Sequence, residues 1–321
     1  MSIKPDMQSG LKPRGELAFP VPGERAGRVQ GALAALGRTL QMLKVLTKFN
    51  IGFLSTFSAA TGYILAAHGV GWPLVPAILG TLLLALGAAA MNEVQEWRID
   101  SVMKRTQHRP IPTGQITPGA GLAVALSLLA LGYLALLVFI SLAAAALGIL
   151  AVVSYNLFYT YLKRVTAFAV VPGSIIGAIP PAIGWVAAGG SLADPRVLAL
   201  SFFFFMWQIP HFWLLLFLYG DDYARAGLPT LTKIFSREQL GRLTFIWMVT
   251  TAVSCLLLPF FGVIRMPLVD AGLVGAAAWL VFNAVKILKA GGERRRFGLA
   301  FRDINLYALL VMGLLVLDAV I

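Results

Sequence analysis

The chain is dominated by apolar runs, each near the ~20 residues that an α-helix needs to cross a bilayer. Nine recur, at about 45–68, 72–91, 119–140, 142–162, 167–189, 196–219, 243–262, 268–288 and 303–321. Within them apolar residues are continuous rather than alternating. In hydrocarbon only helices and closed barrels satisfy every backbone amide, so the runs are helices. The pattern predicts an all-α, polytopic membrane protein with nine transmembrane helices, its membrane domain covering 45–321. Residues 1–44 break the pattern: Pro, Gly and Arg are frequent, and Asp6, Glu16 and Glu24 interrupt any apolar core suited to a signal peptide. We expect a polar, disordered tail there. Its acids run against a mitochondrial transit peptide, which is Arg-rich but poor in acidic residues.

Composition agrees with the pattern. The chain is 59% hydrophobic and 12% charged, whereas soluble domains are near half apolar and about a quarter charged. The formal charge of +12 would suit a nucleic-acid partner only if the bases clustered on a soluble face. They are spread instead over the tail and alternate connections: of 26 Lys and Arg, only Arg196 and Arg265 fall on the opposite side. By the positive-inside rule the basic side is cytoplasmic, and a bacterial inner membrane is the expected setting. No nucleic acid is expected as a partner. The run "GGERRRFG" reads as a topology anchor against anionic membrane lipid. The single cysteine, Cys255, sits in an apolar run and permits no intramolecular disulfide.

Two polar stretches stand out at the membrane edge. In "MNEVQEWRIDSVMKRTQHRPIPTG", Met91 to Gly114, the residues Asn92, Glu96 and Asp100 are spaced i, i+4, i+8. A continuing helix places them on one face as a ladder of oxygen ligands. In "YGDDYARAGLPTL", Asp221 and Asp222 follow the sixth span and emerge on the same side. Stacked carboxylates repel unless something positive lies between them. Mg²⁺ prefers such oxygen-rich sites, which leave positions for water and substrate phosphate. With Lys104, Arg105, Arg109, Lys163 and Arg164 nearby, the clusters suit a Mg²⁺–diphosphate site; spacing alone equally allows solvated loop charges. His211, in "WQIPHFW" beside Pro210, is the histidine within a span. It suits either a haem ligand or a structural hydrogen bond. Phe202 to Phe205, Trp207, Phe212 and Trp213 could line a pocket or simply pack.

"NEVQEWRIDSVMKRTQHRP" resembles the first acidic motif of the UbiA superfamily of intramembrane prenyltransferases, and its continuation "IPTGQIT" resembles the branch that prenylates haem. "YTYLKRVTAFAVVPGSIIGAIPPAIGW" and "WQIPHFWLLLFLYGDDYARAGLPTL" resemble the same branch. Glu96 stands where many members carry Asp, which keeps the ligand type. The resemblance implies a UbiA-type helical bundle and an enzyme using Mg²⁺, farnesyl diphosphate and haem B. Asn92, Glu96, Asp100 and Asp222, with Asp221, would hold the metal and assist ionisation. Lys104, Arg105, Arg109, Lys163, Arg164 and His211 would bind substrates. A farnesyl cation would be attacked by a vinyl group of protohaem IX and water would complete haem O. A haem A synthase or an oxidase-assembly protein is the implied protein partner. Two other readings remain: a prenyltransferase with a quinone- or chlorophyll-type acceptor, and a haem-handling carrier. Against a carrier, the charges gather at one face rather than midway through broken helices.

The topology is directly testable. In a Cys255→Ala background, single cysteines placed at Gln107 and Thr232 should both resist an impermeant thiol reagent applied from outside the cell. Labelling from outside at either position would overturn the assignment.

Overall fold

A computed structural model describes residues 22–288 and 294–321. The described residues divide into two units, before and after the Gln41–Met42 junction. The described residues are helical: α1 Pro22–Leu46, α2 Phe49–Ala67, α3 Leu74–Asp100, α4 Pro118–Phe139, α5 Leu142–Val153, α6 Thr160–Leu162, α7 Val170–Gly173, α8 Ile175–Ala187, α9 Pro195–Arg225, α10 Arg237–Ser254, α11 Leu257–Phe260, α12 Pro267–Leu288 and α13 Arg294–Val320. A π-helical turn, Ser154–Tyr159, joins α5 to α6, and a 3₁₀ turn, Leu231–Lys233, follows α9.

Among the described residues nine segments are long and apolar enough to span, matching the nine runs in number and order. The expected polar tail, 1–44, falls only partly within the described residues. Residues 1–21 lie outside the described residues, but from Pro22 the chain is helical, because "GALAALGRTLQMLKVL" is built from strong helix formers. The start of "GGERRRFG" likewise lies outside the described residues.

Sequence signals set the helix ends. Thr117 caps α4 by accepting from the Ala120 amide, with Pro118 at the first helical position. Ser236 and Gln239 form a reciprocal capping box at α10. Lys48 lies in the left-handed region at φ 50° and separates α1 from α2. Helix α3 is different: it runs 27 residues without a break, since Met, Glu, Gln and Arg carry the helix past the apolar stretch.

Lipid supplies no hydrophobic drive between helices, so close approach of small residues matters. Helices α2 and α8 meet at Gly62 and Gly184. A Cβ on Gly62 would strike the Pro181 carbonyl, and one on Gly184 the Ala59 carbonyl. Helices α3 and α4 meet the same way, where a Cβ on Gly132 would fall 2.8 Å from the Leu84 amide nitrogen and 2.9 Å from the Gly80 carbonyl oxygen. Around these contacts a large apolar core joins α2, α8, α9, α10, α12 and α13 through residues such as Tyr63, Trp185, Phe203, Leu273 and Tyr307.

Gly184→Ala should lower stability by about 1–3 kcal/mol, the usual range for overpacking against a backbone that has no room to yield. A thermal melt of the detergent-solubilised protein reads this. An unchanged midpoint would mean that the α2–α8 contact is looser than described.

Candidate active site

The long α3 explains why so polar a segment adjoins the membrane. Asn92, Glu96 and Asp100 occupy one face of it, one turn or about 6 Å apart along the axis, and all are buried. Below them the same face is small and apolar, with Ala89, Ala88, Ala85, Leu84 and Thr81 lining a cavity of about 340 Å³. The far walls come from Gly148, Ala151 and Val152 of α5, Ile176, Pro180 and Ile183 of α8, and Phe212, Leu215 and Leu216 of α9. The cavity therefore has a charged mouth and an apolar shaft.

Each acid at the mouth has a base, and for Glu96 and Asp100 it comes from another element. Lys163 Nζ donates to Glu96 Oε2 at 2.6 Å, and Arg164 Nη2 lies 3.8 Å from Glu96 Oε1. Arg109 Nη1 pairs with Asp100 Oδ2 at 2.7 Å. Asp222 accepts from the Arg105 backbone amide at 3.1 Å and pairs with Arg225. Asn92 links the ladder, donating to Glu96 Oε2 at 2.9 Å and to Thr160 Oγ1 at 3.1 Å. Its own Oδ1 accepts from Lys48 Nζ at 2.7 Å. Burial, aided by the Arg109 and Lys163 charges, holds the Lys48 ammonium well below its ordinary pKa, at about 7.

The segment 101–117 draws the two acidic clusters together. It grips Asp222 through the Arg105 amide, Asp100 through the Arg109 side chain and Glu93 through the Ile111 amide, which donates to Oε1 at 3.2 Å. Glu93 is fully buried, and its other oxygen has no hydrogen-bond partner.

On the opposite wall the π-helical turn sets the aromatic side chains. Asn156 donates to the Ala88 carbonyl at 3.0 Å and exchanges hydrogen bonds with Gln95, fixing the turn against α3. Tyr155 and Tyr159 then line the cavity with ring centroids 6.1 Å apart. Lys163 Nζ lies 5.3 Å from the Tyr159 ring centre. Tyr219 and Tyr223 complete the mouth, with Arg105 stacked 5.2 Å over Tyr219.

The expected site residues divide into two groups. Asn92, Glu96, Asp100, Arg105, Arg109 and Lys163 line the cavity, and Asp222 touches it through Arg105. Asp221 and Lys104 are exposed and lie outside the lining, while Arg164 is held back by the Gln95 carbonyl at 3.1 Å. His211 is on another face of α9. Its Nδ1 is 2.9 Å from Asn305 Oδ1, and its ring packs between Trp207 and Phe301, tying α9 to α13 outside the cavity lining. Of the aromatic candidates Phe212 and Trp213 line the cavity; Phe202 to Phe205 and Trp207 do not. Sequence reasoning passed over Lys48, Glu93, Tyr155, Tyr159, Tyr219 and Tyr223. The bare signal for Lys48 was a base at the entrance of an otherwise uncharged span.

The donor set fits a hard divalent cation. One amide and three carboxylates supply oxygen, and Glu96 Oε1 is buried without a hydrogen-bond partner. Among the described residues no three His, Cys, Asp or Glu side chains could hold a metal alone. An ion here needs further oxygen from a bound ligand, as Mg²⁺ shared with phosphate does.

A spanning bundle whose charged mouth opens onto an apolar shaft defines a class: intramembrane enzymes that hold an anionic head group and a long apolar tail. The chain belongs to the UbiA prenyltransferase family, which matches residues 55–305. It is 38% identical over 226 residues to the protoheme IX farnesyltransferase of Geobacter sulfurreducens, covering 68% of this chain and 80% of that one. Its fold resembles that of a solved digeranylgeranylglyceryl phosphate synthase, with a TM-score of 0.70 at 13% identity over 88% of this chain and 99% of that one. It also resembles a UbiA homologue from Archaeoglobus fulgidus bound to DMAPP and Mg²⁺, with a TM-score of 0.60 at 12% identity over 84% and 99% of the respective chains.

Glu93→Ala should release the 101–117 segment, while Glu93→Gln keeps an acceptor for the Ile111 amide. Losing a hydrogen bond to a buried carboxyl is worth roughly 1–3 kcal/mol, so hydrogen exchange at Ile111 should quicken about tenfold or more in the alanine variant alone. Equal protection in both variants would remove Glu93 as the anchor.

Proposed function

We propose that this chain transfers the farnesyl group of farnesyl diphosphate to a vinyl group of protohaem IX (haem B), giving haem O. The observation that carries the proposal is the acid and base mouth set directly above the apolar shaft. A diphosphate finds counter-charge at the first and its prenyl chain finds cover in the second. The curated relative from Geobacter sulfurreducens, similar over 80% of its length, supports haem as the acceptor.

Roles follow from geometry. Arg109, Lys163 and Lys48 offer donors that leave their carboxylate or amide partners for diphosphate oxygens, and Arg105 offers a guanidinium that stacks on Tyr219; charge-assisted bonds of this kind are the strong ones. Asn92, Glu96, Asp100 and Asp222 would hold Mg²⁺, which when bound neutralises the departing diphosphate. Asp221, Lys104 and Arg164, at the rim, act at longer range. When the allylic carbon–oxygen bond breaks, both electrons leave with the diphosphate. The terminal vinyl carbon bonds to the allylic carbon, and the cation left beside the porphyrin takes up water and sheds a proton. The faces of Tyr155 and Tyr159 stabilise positive charge near the mouth by the attraction of cations to aromatic rings. The apolar walls keep water from the first cation. His211 supports this arrangement from behind by holding α9. The mouth faces the cytoplasm of a bacterial inner membrane, as the distribution of basic residues supports. A haem A synthase or an oxidase-assembly protein is the partner class that would receive the product.

Asp100→Asn and Asp222→Asn should each cut turnover by at least about 10²–10³, the usual worth of one electrostatic stabiliser. The assay combines purified protein, haem B, farnesyl diphosphate and Mg²⁺, and weighs the porphyrin product by mass spectrometry. Haem binding, followed by its absorption spectrum, should not change. Near-normal turnover in either variant would reduce that carboxylate to a buried structural ion-pair partner.

A further inference from the structure

The shaft has a floor. Thr81, Leu84, Gly148 and Ile183 all line the cavity and are all buried. Behind them Leu84 and Ile183 belong to a packed apolar cluster with Leu136, Ala144, Ala145 and Ile179. The floor is therefore backed by a packed cluster, and its side chains can yield only toward the shaft.

Helix α3 provides a scale for the depth. Asn92 at the mouth and Thr81 at the floor are on the same lining face, eleven residues apart, which is about 16 Å at the helical rise per residue. At carbon–carbon bonds of about 1.5 Å, an extended geranyl main chain reaches ~9 Å, a farnesyl chain ~14 Å and a geranylgeranyl chain ~19 Å. Only the middle length fills the shaft while leaving the diphosphate among the bases. We infer that the floor formed by Thr81, Leu84, Gly148 and Ile183 sets the length of prenyl chain accepted, favouring farnesyl over the next shorter and longer homologues. This rests on the prenyl-transfer reading above and specifies which residues enforce its donor.

The floor can be moved in both directions. A Cβ on Gly148 would fall 2.5 Å from Leu84 Cδ1 and 3.1 Å from Leu136 Cδ1. Leu136 is packed in the cluster, whereas Leu84 borders the cavity, so Gly148→Ala drives the Leu84 side chain into the shaft and shortens it. Leu84→Ala opens the floor, and Thr81→Ala trims it more gently.

The test measures binding of geranyl, farnesyl and geranylgeranyl diphosphate to the purified full chain with Mg²⁺, then product ratios when all three compete for haem B. Wild type should prefer farnesyl diphosphate. One methylene in an apolar pocket already discriminates by about tenfold or more. Gly148→Ala should therefore lower the farnesyl-to-geranyl preference by at least about tenfold, and Leu84→Ala should raise the geranylgeranyl-to-farnesyl preference by a similar factor. If Leu84→Ala does not accumulate, Thr81→Ala carries the same direction with a smaller change. Unchanged length preference in folded variants overturns the inference. Length-graded binding without any prenylated haem would leave the floor as inferred and defeat the haem acceptor instead.

Discussion

Burying several carboxylates at the edge of a bilayer is the constraint on which this structure turns. An isolated charge taken out of water is costly, and a buried acid persists only beside an opposite charge and hydrogen-bond donors. Helix α3 carries Glu96 and Asp100 into that position, and no base of its own lies on the same face. The partners must come from elsewhere: Lys163 after α6 pairs with Glu96 and Arg109 from the 101–117 segment with Asp100, while Lys48 from the turn before α2 bonds the neighbouring Asn92. Each arrives on an element that is also held mechanically. The π-helical turn is fixed by Asn156 against α3, and the 101–117 segment is held at three points. Packing and charge balance thus specify the same arrangement.

The division between mouth and shaft follows from one helix changing character along its length. Below Asn92 the lining residues of α3 are Ala, Leu and Thr; from Asn92 upward they are Asn, Glu and Asp, with Ile99 beside them. Because 3.6 residues make a turn, positions four apart stay on one face, so a single helix delivers both environments to one cavity. The glycine contacts of α2 with α8 and of α3 with α4 hold the walls close without adding bulk.

The spans were legible because lipid leaves so few solutions: length, continuous hydrophobicity and the one-sided placement of basic residues fix nearly everything. The acidic ladder was legible for the same reason, since periodicity reveals a face. Facing across helices is what periodicity does not reveal. His211 and Gln208 sit three residues apart within one apolar run, yet Gln208 lines the cavity and His211 packs on Phe301. Which side of α9 meets α13 depends on long-range packing such as the hydrogen bond of Trp207 to the Ile304 carbonyl. Tyr155 and Tyr159 were hidden for another reason: in "SYNLFY" a π-helical turn replaces the expected helical phase, and only the hydrogen bonds of Asn156 make that turn evident.

The ion pairs at the mouth have a bearing on how tightly an anion can be held there. Arg109, Lys163 and Lys48 already have an oxygen partner, so an incoming anion gains only the difference between its bonds and those it displaces. The carboxylates act as tethered competitors at very high local concentration. When the anion departs, the same acids recapture the bases at once and the emptied mouth returns to balanced charge. Internal competition of this kind shortens the residence time of the leaving group, giving the protein a route to turnover that needs no large opening of the bundle.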